Sequence, residues 1–160
     1  MDGRRPNRPI MLPRGFSLLE LVVVLSIVGA LSAIAIPRFA SAITHYRVES
    51  AAQRLVLDLE YARKHAMHTA MSQTVALNVA GDRYELVGVQ HLDQSSKPYV
   101  VELSEAPYQA RIVSAVFGGD AEVIFDIHGV PDSGGQVVVE VGSWQSTLTL
   151  DASTGEVTVN

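Results

Sequence analysis

The chain has 160 residues, no cysteine, a formal net charge of −5 and a mean hydropathy of +0.20, high for a soluble protein. Its length suits one ordinary domain plus an appendage. The missing cysteines exclude a disulfide framework, a thiolate metal site and a thiol nucleophile.

Charge is distributed unevenly. Residues 1–15 hold Arg4, Arg5, Arg8 and Arg14 against Asp2 alone, so the remainder carries 8 basic and 16 acidic residues, a net −8. No lysine or arginine follows Arg111. A duplex-binding face needs several cations to displace phosphate counterions. The C-terminal third has none, and nucleic acid is not an expected partner there.

From Phe16 to Ile36 run 21 residues whose apolar content is interrupted only by Ser17, Glu20, Ser26, Gly29 and Ser32. As a helix this spans roughly 30 Å, one hydrocarbon core. Its valines are poor helix formers in water. Lipid offers the backbone no other hydrogen-bond partner, so helix prevails there. Four arginines precede the run and only Arg38 follows closely, which places the N-terminus in the cytoplasm and the rest across the membrane. A cleaved secretory signal is the competing reading, with "AIA" at 33–35 or "ASA" at 40–42 as small-residue cleavage sites. Against it stand the length of the apolar run, its abrupt start after Gly15, and its acid.

That acid is Glu20. A carboxylate within a bilayer helix costs about 2.5–3.5 kcal/mol at the centre and less near the interface. One turn into the run, the cost is partial. It becomes tolerable when a cation is supplied. The sequence "GFSLLE" over 15–20, behind a short basic leader and ahead of an apolar helix, resembles the processing site of type IV prepilins and type II secretion pseudopilins. The resemblance implies that a prepilin peptidase cuts between Gly15 and Phe16 and that Phe16 is N-methylated. Glu20 then becomes the fifth mature residue, neutralising the N-terminal amine of a neighbouring subunit during filament assembly. Pro37 falls where many pilins have a helix-perturbing proline.

Residues 37–71 read as a continued, amphipathic helix, loosened or kinked at Pro37. Phe39, Ile43, Tyr46, Ala52, Leu55, Leu59, Ala62 and Ala66 follow three- and four-residue steps and form the expected core stripe. Arg47, Glu49, Gln53, Arg54, Asp58, Glu60 and Lys64 are expected largely on other faces.

From residue 73 the period changes to two. A β-hairpin is predicted over 73–89, with a turn at "GDR", followed by a polar loop over 91–98. Strands are predicted at 99–103, 110–116, 121–127, 136–141, 145–150 and 155–159, the last three as an antiparallel meander of β-branched residues. The predicted fold class is α+β: a long N-terminal transmembrane and amphipathic helix on an antiparallel β-sheet or sandwich body. The expected organisation is a leader at 1–15, a membrane helix at 16–36, an amphipathic helix at 37–71 and a β-rich body at 72–160.

The segments 51–77 and 125–159 are similar to those of minor pseudopilins of the H type and the related FimT pilins. The resemblance implies a structural, non-enzymatic subunit of a periplasmic pseudopilus, held by one span in the inner membrane. Its implied partners are other pseudopilins, the prepilin peptidase, inner-membrane lipid and exported cargo. The alternative is a FimT-like minor pilin acting in type IV pilus biogenesis or DNA uptake. Some FimT pilins bind DNA through C-terminal arginines, and this chain ends "DASTGEVTVN" without one.

Few residues suggest other chemistry. His65 and His68 stand three apart, close enough to share a metal, but without the acid of an HExxH pattern, so two solvent- or interface-facing histidines are expected. Asp126, His128 and Asp132 lack the spacing of an EF-hand and read as turn residues. Ser143 in "VGSWQ" is no nucleophile elbow. Trp144, the single tryptophan, fits either core or partner surface. Neither a metal nor a cofactor is expected.

Overall fold

An apolar run followed by a three-and-four-step stripe sustains one 52-residue helix, α1, over Leu18–Thr69 in the computed structural model, which describes residues 15–91 and 96–160. The leader residues 1–14 and residues 92–95 of the polar loop lie outside the described residues. The chain divides into two units, one ending at Phe39 and one running from Ala40 to Asn160.

In the first unit, helix assignment continues through Pro37. The ring removes one amide, leaving the Ala33 carbonyl without its helical donor. The apolar side chains, from Leu18 through Ile36, are largely exposed. The hydroxyls within the run are satisfied locally: Ser26 Oγ donates to the Val22 carbonyl at 2.8 Å and Ser32 Oγ to the Val28 carbonyl at 2.7 Å. A helix whose internal serines bond its own backbone and whose apolar side chains face outward on all sides suits lipid or other helices.

In the second unit, α1 meets two four-stranded sheets. The strands are β1 (Gln73–Asn78), β2 (Arg83–Gln90), β3 (Pro98–Glu102), β4 (Arg111–Phe117), β5 (Glu122–Phe125), β6 (Gly135–Val141), β7 (Trp144–Leu150) and β8 (Val157–Val159). One sheet has the order β3-β2-β1-β5 and the other β4-β6-β7-β8. Every pairing is antiparallel. The expected hairpin is β1–β2, and the expected meander is β6–β7–β8. The β6–β7 loop is the two residues Gly142 and Ser143, with glycine at φ +62°, which lets the strands keep their twist.

The core joins Val48, Leu55 and Leu59 of the helix to Val75, Leu86, Val123 and Phe125 of the first sheet and Phe117, Val137 and Leu148 of the second. Each buried leucine contributes about 1.5–3 kcal/mol. Ala51, Ala52, Ala62 and Ala66, all fully buried, let the helix approach closely.

The stripe differs from expectation at its start. Phe39, Ile43 and Tyr46 are exposed, and burial on α1 begins at Val48. Periodicity fixes which residues share a face but not where a partner surface begins. Asp58 also departs from expectation. It lies on the buried face, 5% exposed, between Leu55 and Ala62 in the same stepping.

Asp58 is kept there by a closed set of donors. Its Oδ2 accepts from Tyr84 Oη at 2.5 Å and from Arg54 Nε at 3.0 Å, and its Oδ1 accepts from Tyr99 Oη at 2.8 Å. Arg54 Nη2 donates to Tyr99 Oη at 2.7 Å. The carboxylate thus binds α1 to β2 and β3. Burial, and then the neighbouring Asp58 charge, push both tyrosines up, Tyr99 to about 12 and Tyr84 further. Desolvation pulls the Arg54 guanidinium down, but Asp58 and the tyrosines outweigh it and hold it above its usual value.

Asp58→Ala is expected to destabilise the protein by about 3–5 kcal/mol in urea unfolding, because two buried hydroxyls and a guanidinium lose their acceptor. Tyr84→Phe removes one charge-assisted bond and should cost less, about 1.5–3 kcal/mol. The latch also sets an alkaline limit. Unfolded tyrosine titrates near 10, so the stabilisation is fully present below about pH 10 and lost as pH rises through the raised folded value. Stability measured from pH 9 upward should therefore fall between about pH 10 and 12, and Tyr99→Phe should flatten part of that slope.

Candidate functional site

Gly15, Phe16 and Ser17 precede α1, and Phe16 is 79% exposed. The glycine–phenylalanine bond thus lies outside the helical hydrogen-bond ladder. The first turn closes with Leu21 N–H donating to the Ser17 carbonyl at 3.1 Å. Glu20 is the acidic residue of that turn.

Its position has an electrostatic consequence. The first turn is the positive end of the helix dipole, where an anion is favoured by about 0.3–1 kcal/mol. That offsets only part of the cost of about 2.5–3.5 kcal/mol for a carboxylate at the bilayer centre. The larger share requires either the interface or a full positive charge. Pro37, the fourth residue of this set, lies within α1 beyond the apolar run.

The other residues singled out by sequence fall elsewhere. His65 lies against Tyr61, ring centres 5.9 Å apart, and His68 is exposed. Among the described residues, no three of His, Cys, Asp and Glu converge as metal ligands. Asp126 serves backbone geometry: its Oδ1 accepts from the Val130 and His128 amides, each at 2.8 Å. Those bonds, the Val130 amide foremost, hold its carboxyl below the usual range. Asp132 caps the edge of β5 by accepting from the Ile124 amide at 3.0 Å. Ser143 is the second residue of the β6–β7 turn. Trp144 is 40% exposed, with its ring edge-on to His45 at 4.6 Å.

Sequence reasoning missed Asp151 as an organiser. Its Oδ1 collects the Ser153 hydroxyl at 2.6 Å, the Thr154 amide at 2.8 Å, the Ser153 amide at 2.8 Å and the Thr154 hydroxyl at 3.1 Å, which depress its carboxyl. "DASTG" carries that signal, since an aspartate followed by hydroxyl residues and a glycine favours such turns. Among the described residues, Asp126, Asp132 and Asp151 thus serve turns and a strand edge, and Asp58 the helix latch.

Comparisons with known proteins match two separate segments of the chain. A family model described as "Prokaryotic N-terminal methylation motif" matches residues 11–36. One described as "Type II transport protein GspH" matches residues 51–155, well over half of the chain. No curated protein matches. Among solved structures, the chain is similar to the type IV minor pilin FimU of Pseudomonas aeruginosa strain PAO1. The two are 16% identical with a TM-score of 0.48, over 71% of this chain and 87% of that one. With a span-length apolar helix behind a prepilin-type motif and a helix-on-sheets body matched by GspH, the chain belongs to the GspH family and is a minor pseudopilin or pilin, a structural and non-enzymatic subunit.

Proposed function

We propose that this chain is a minor pseudopilin of a type II secretion system. In this reading the precursor spans the inner membrane once, with its leader cytoplasmic and its body periplasmic. A prepilin peptidase cuts between Gly15 and Phe16 and methylates the new amine. The subunit then enters a pseudopilus with other pilin-like subunits, and its body faces them and the exported cargo. The observation that carries the reading is the GspH match across the body, residues 51–155.

The mechanism is assembly. Cleavage creates an α-amine on Phe16, at the start of a helix whose first turn holds Glu20. The amine of one subunit meets the Glu20 carboxylate of its neighbour as the exposed apolar helices bundle. Either charge alone is penalised in a medium of low dielectric, and the pair is favoured. A mismatch in axial register separates the pair, so the contact selects register as well as partner. Pro37 loosens the helix just past the apolar run. The absence of lysine and arginine beyond Arg111 argues against DNA capture by the C-terminal third.

Mass spectrometry of the mature protein should find Phe16 as the first residue, one methyl heavier than unmodified phenylalanine. Gly15→Val should leave a full-length, membrane-retained precursor; a normally shortened product would overturn the cleavage reading. Glu20→Val should be cut normally yet enter filaments at least about tenfold less well, the equivalent of about 1.4 kcal/mol. Undiminished incorporation, measured by sheared-filament immunoblot, would refute the amine–carboxylate pairing.

A further inference from the structure

The second unit has a groove that its own folding does not explain. It lies between α1 and the segment joining β3 to β4, has a volume of about 430 Å³, and is lined by Tyr46, Arg47, Arg54, Leu57, Pro107 and Tyr108. Its far wall is held at both ends. The Leu103 amide donates to the Asp82 carbonyl at 2.8 Å, and the Ile112 amide donates to Asp82 Oδ1 at 2.8 Å. The Ala110 amide closes onto the Leu103 carbonyl at 2.8 Å, and Leu103 and Ala110 are both fully buried. Pro107 and Tyr108 therefore stand on a pinned loop, and the groove is preformed.

Two features of its lining are unused by the fold. Tyr46 and Leu57 are 70% and 59% exposed, although both lie on a helix whose opposite face supplies the core. Arg47, half-buried, has no acceptor among the described residues. The other arginines of this unit are engaged: Arg54, Arg83 and Arg111 with carboxylates and Arg63 with the Gly129 carbonyl. Arg54 lines the groove as well, while its Nε and Nη2 donate to the latch. The groove is thus lined by two guanidiniums on a body whose net charge is strongly negative.

We infer that this groove docks an acidic, aliphatic segment of a neighbouring pilin-like subunit. Charge complementarity selects the occupant. A carboxylate meets the free fork of Arg47 in a charge-assisted hydrogen bond, while an adjoining aliphatic side chain lies between Leu57 and the Tyr46, Pro107 and Tyr108 surfaces. Two guanidiniums on an acidic body are too few for a nucleic-acid backbone but sufficient for one or two carboxylates. The inference rests on the assembly reading above for the identity of the partner, and on the groove alone for its chemistry.

The test separates the two. Full-length protein in detergent is titrated calorimetrically with a decapeptide alternating glutamate and leucine, and with its glutamine–leucine counterpart. Saturable binding is expected for the first only, weakening with added salt and falling at least tenfold in Arg47→Glu and in Arg47→Gln. Equal binding of both peptides, no binding of either, or indifference to Arg47 overturns the groove chemistry. In cells, Leu57→Cys provides the chain's only thiol. Maleimide should label it freely when the chain is expressed alone and poorly when the sister subunits are present, with labelling restored by Arg47→Glu. Protection in the chain expressed alone means that a second copy fills the groove, and equal labelling in all cases means that nothing does; either overturns the assigned partner. Peptide binding that persists while Gly15→Val is processed normally would place the failure in the assembly reading instead.

Discussion

The body depends on one buried carboxylate. Asp58 occupies a position that hydrophobic packing alone would give to leucine, and removing its charge from water costs several kcal/mol. It is retained because donors from three elements converge on it: Arg54 of α1, Tyr84 of β2 and Tyr99 of β3. Apolar contacts are tolerant of small slides, since leucine packs almost as well one step along a groove. A carboxylate is not. Moving α1 by a turn against the first sheet would separate Asp58 from both hydroxyls and leave a buried charge unpaired, so this interaction fixes the axial register that the alanines and leucines merely permit.

The same physical rule recurs at the other end of the helix. Glu20 is also an acid in an apolar series, and the dipole of its own first turn meets only a fraction of its cost. For Asp58 the compensating donors come from the same chain and the result is a folded body. For Glu20, in the assembly reading, the compensating cation comes from another chain and appears only after proteolysis. A charge satisfied within the subunit specifies a fold, and a charge left unsatisfied until a neighbour arrives specifies an assembly.

Much of this architecture is legible in the residues. Alternation places all eight strands within a few positions, because a half-buried strand must alternate. The apolar run and its acid are equally plain. Less legible is where the stripe of α1 finds a partner. Phe39, Ile43 and Tyr46 share its period but are exposed among the described residues, and burial begins only at Val48. Asp58, Tyr84 and Tyr99 are individually ordinary. Their meeting depends on β2 and β3 lying over the helix, a long-range fact with no local signature. The order β3-β2-β1-β5 is hidden for the same reason, since β5 returns to β1 from more than forty residues away. Asp126 and Asp132 announce turns through their glycine-rich neighbourhood, which is why the turn reading holds for them.

The faces of α1 beyond Ala40 divide the work between folding and recognition. Val48, Leu55, Leu59 and the small alanines are consumed by the core, and Asp58 by the latch. Arg54 belongs to both sides, since it donates to the latch through Nε and Nη2 and also lines the groove. Its charge therefore cannot be altered to tune docking without loosening the body. Arg47, one helical stretch earlier, touches no carboxylate among the described residues and carries no such constraint. If a lineage of such subunits were to change partners, Arg47, Tyr46 and Leu57 are the positions free to vary, while Arg54 is held in place by the fold it helps to close.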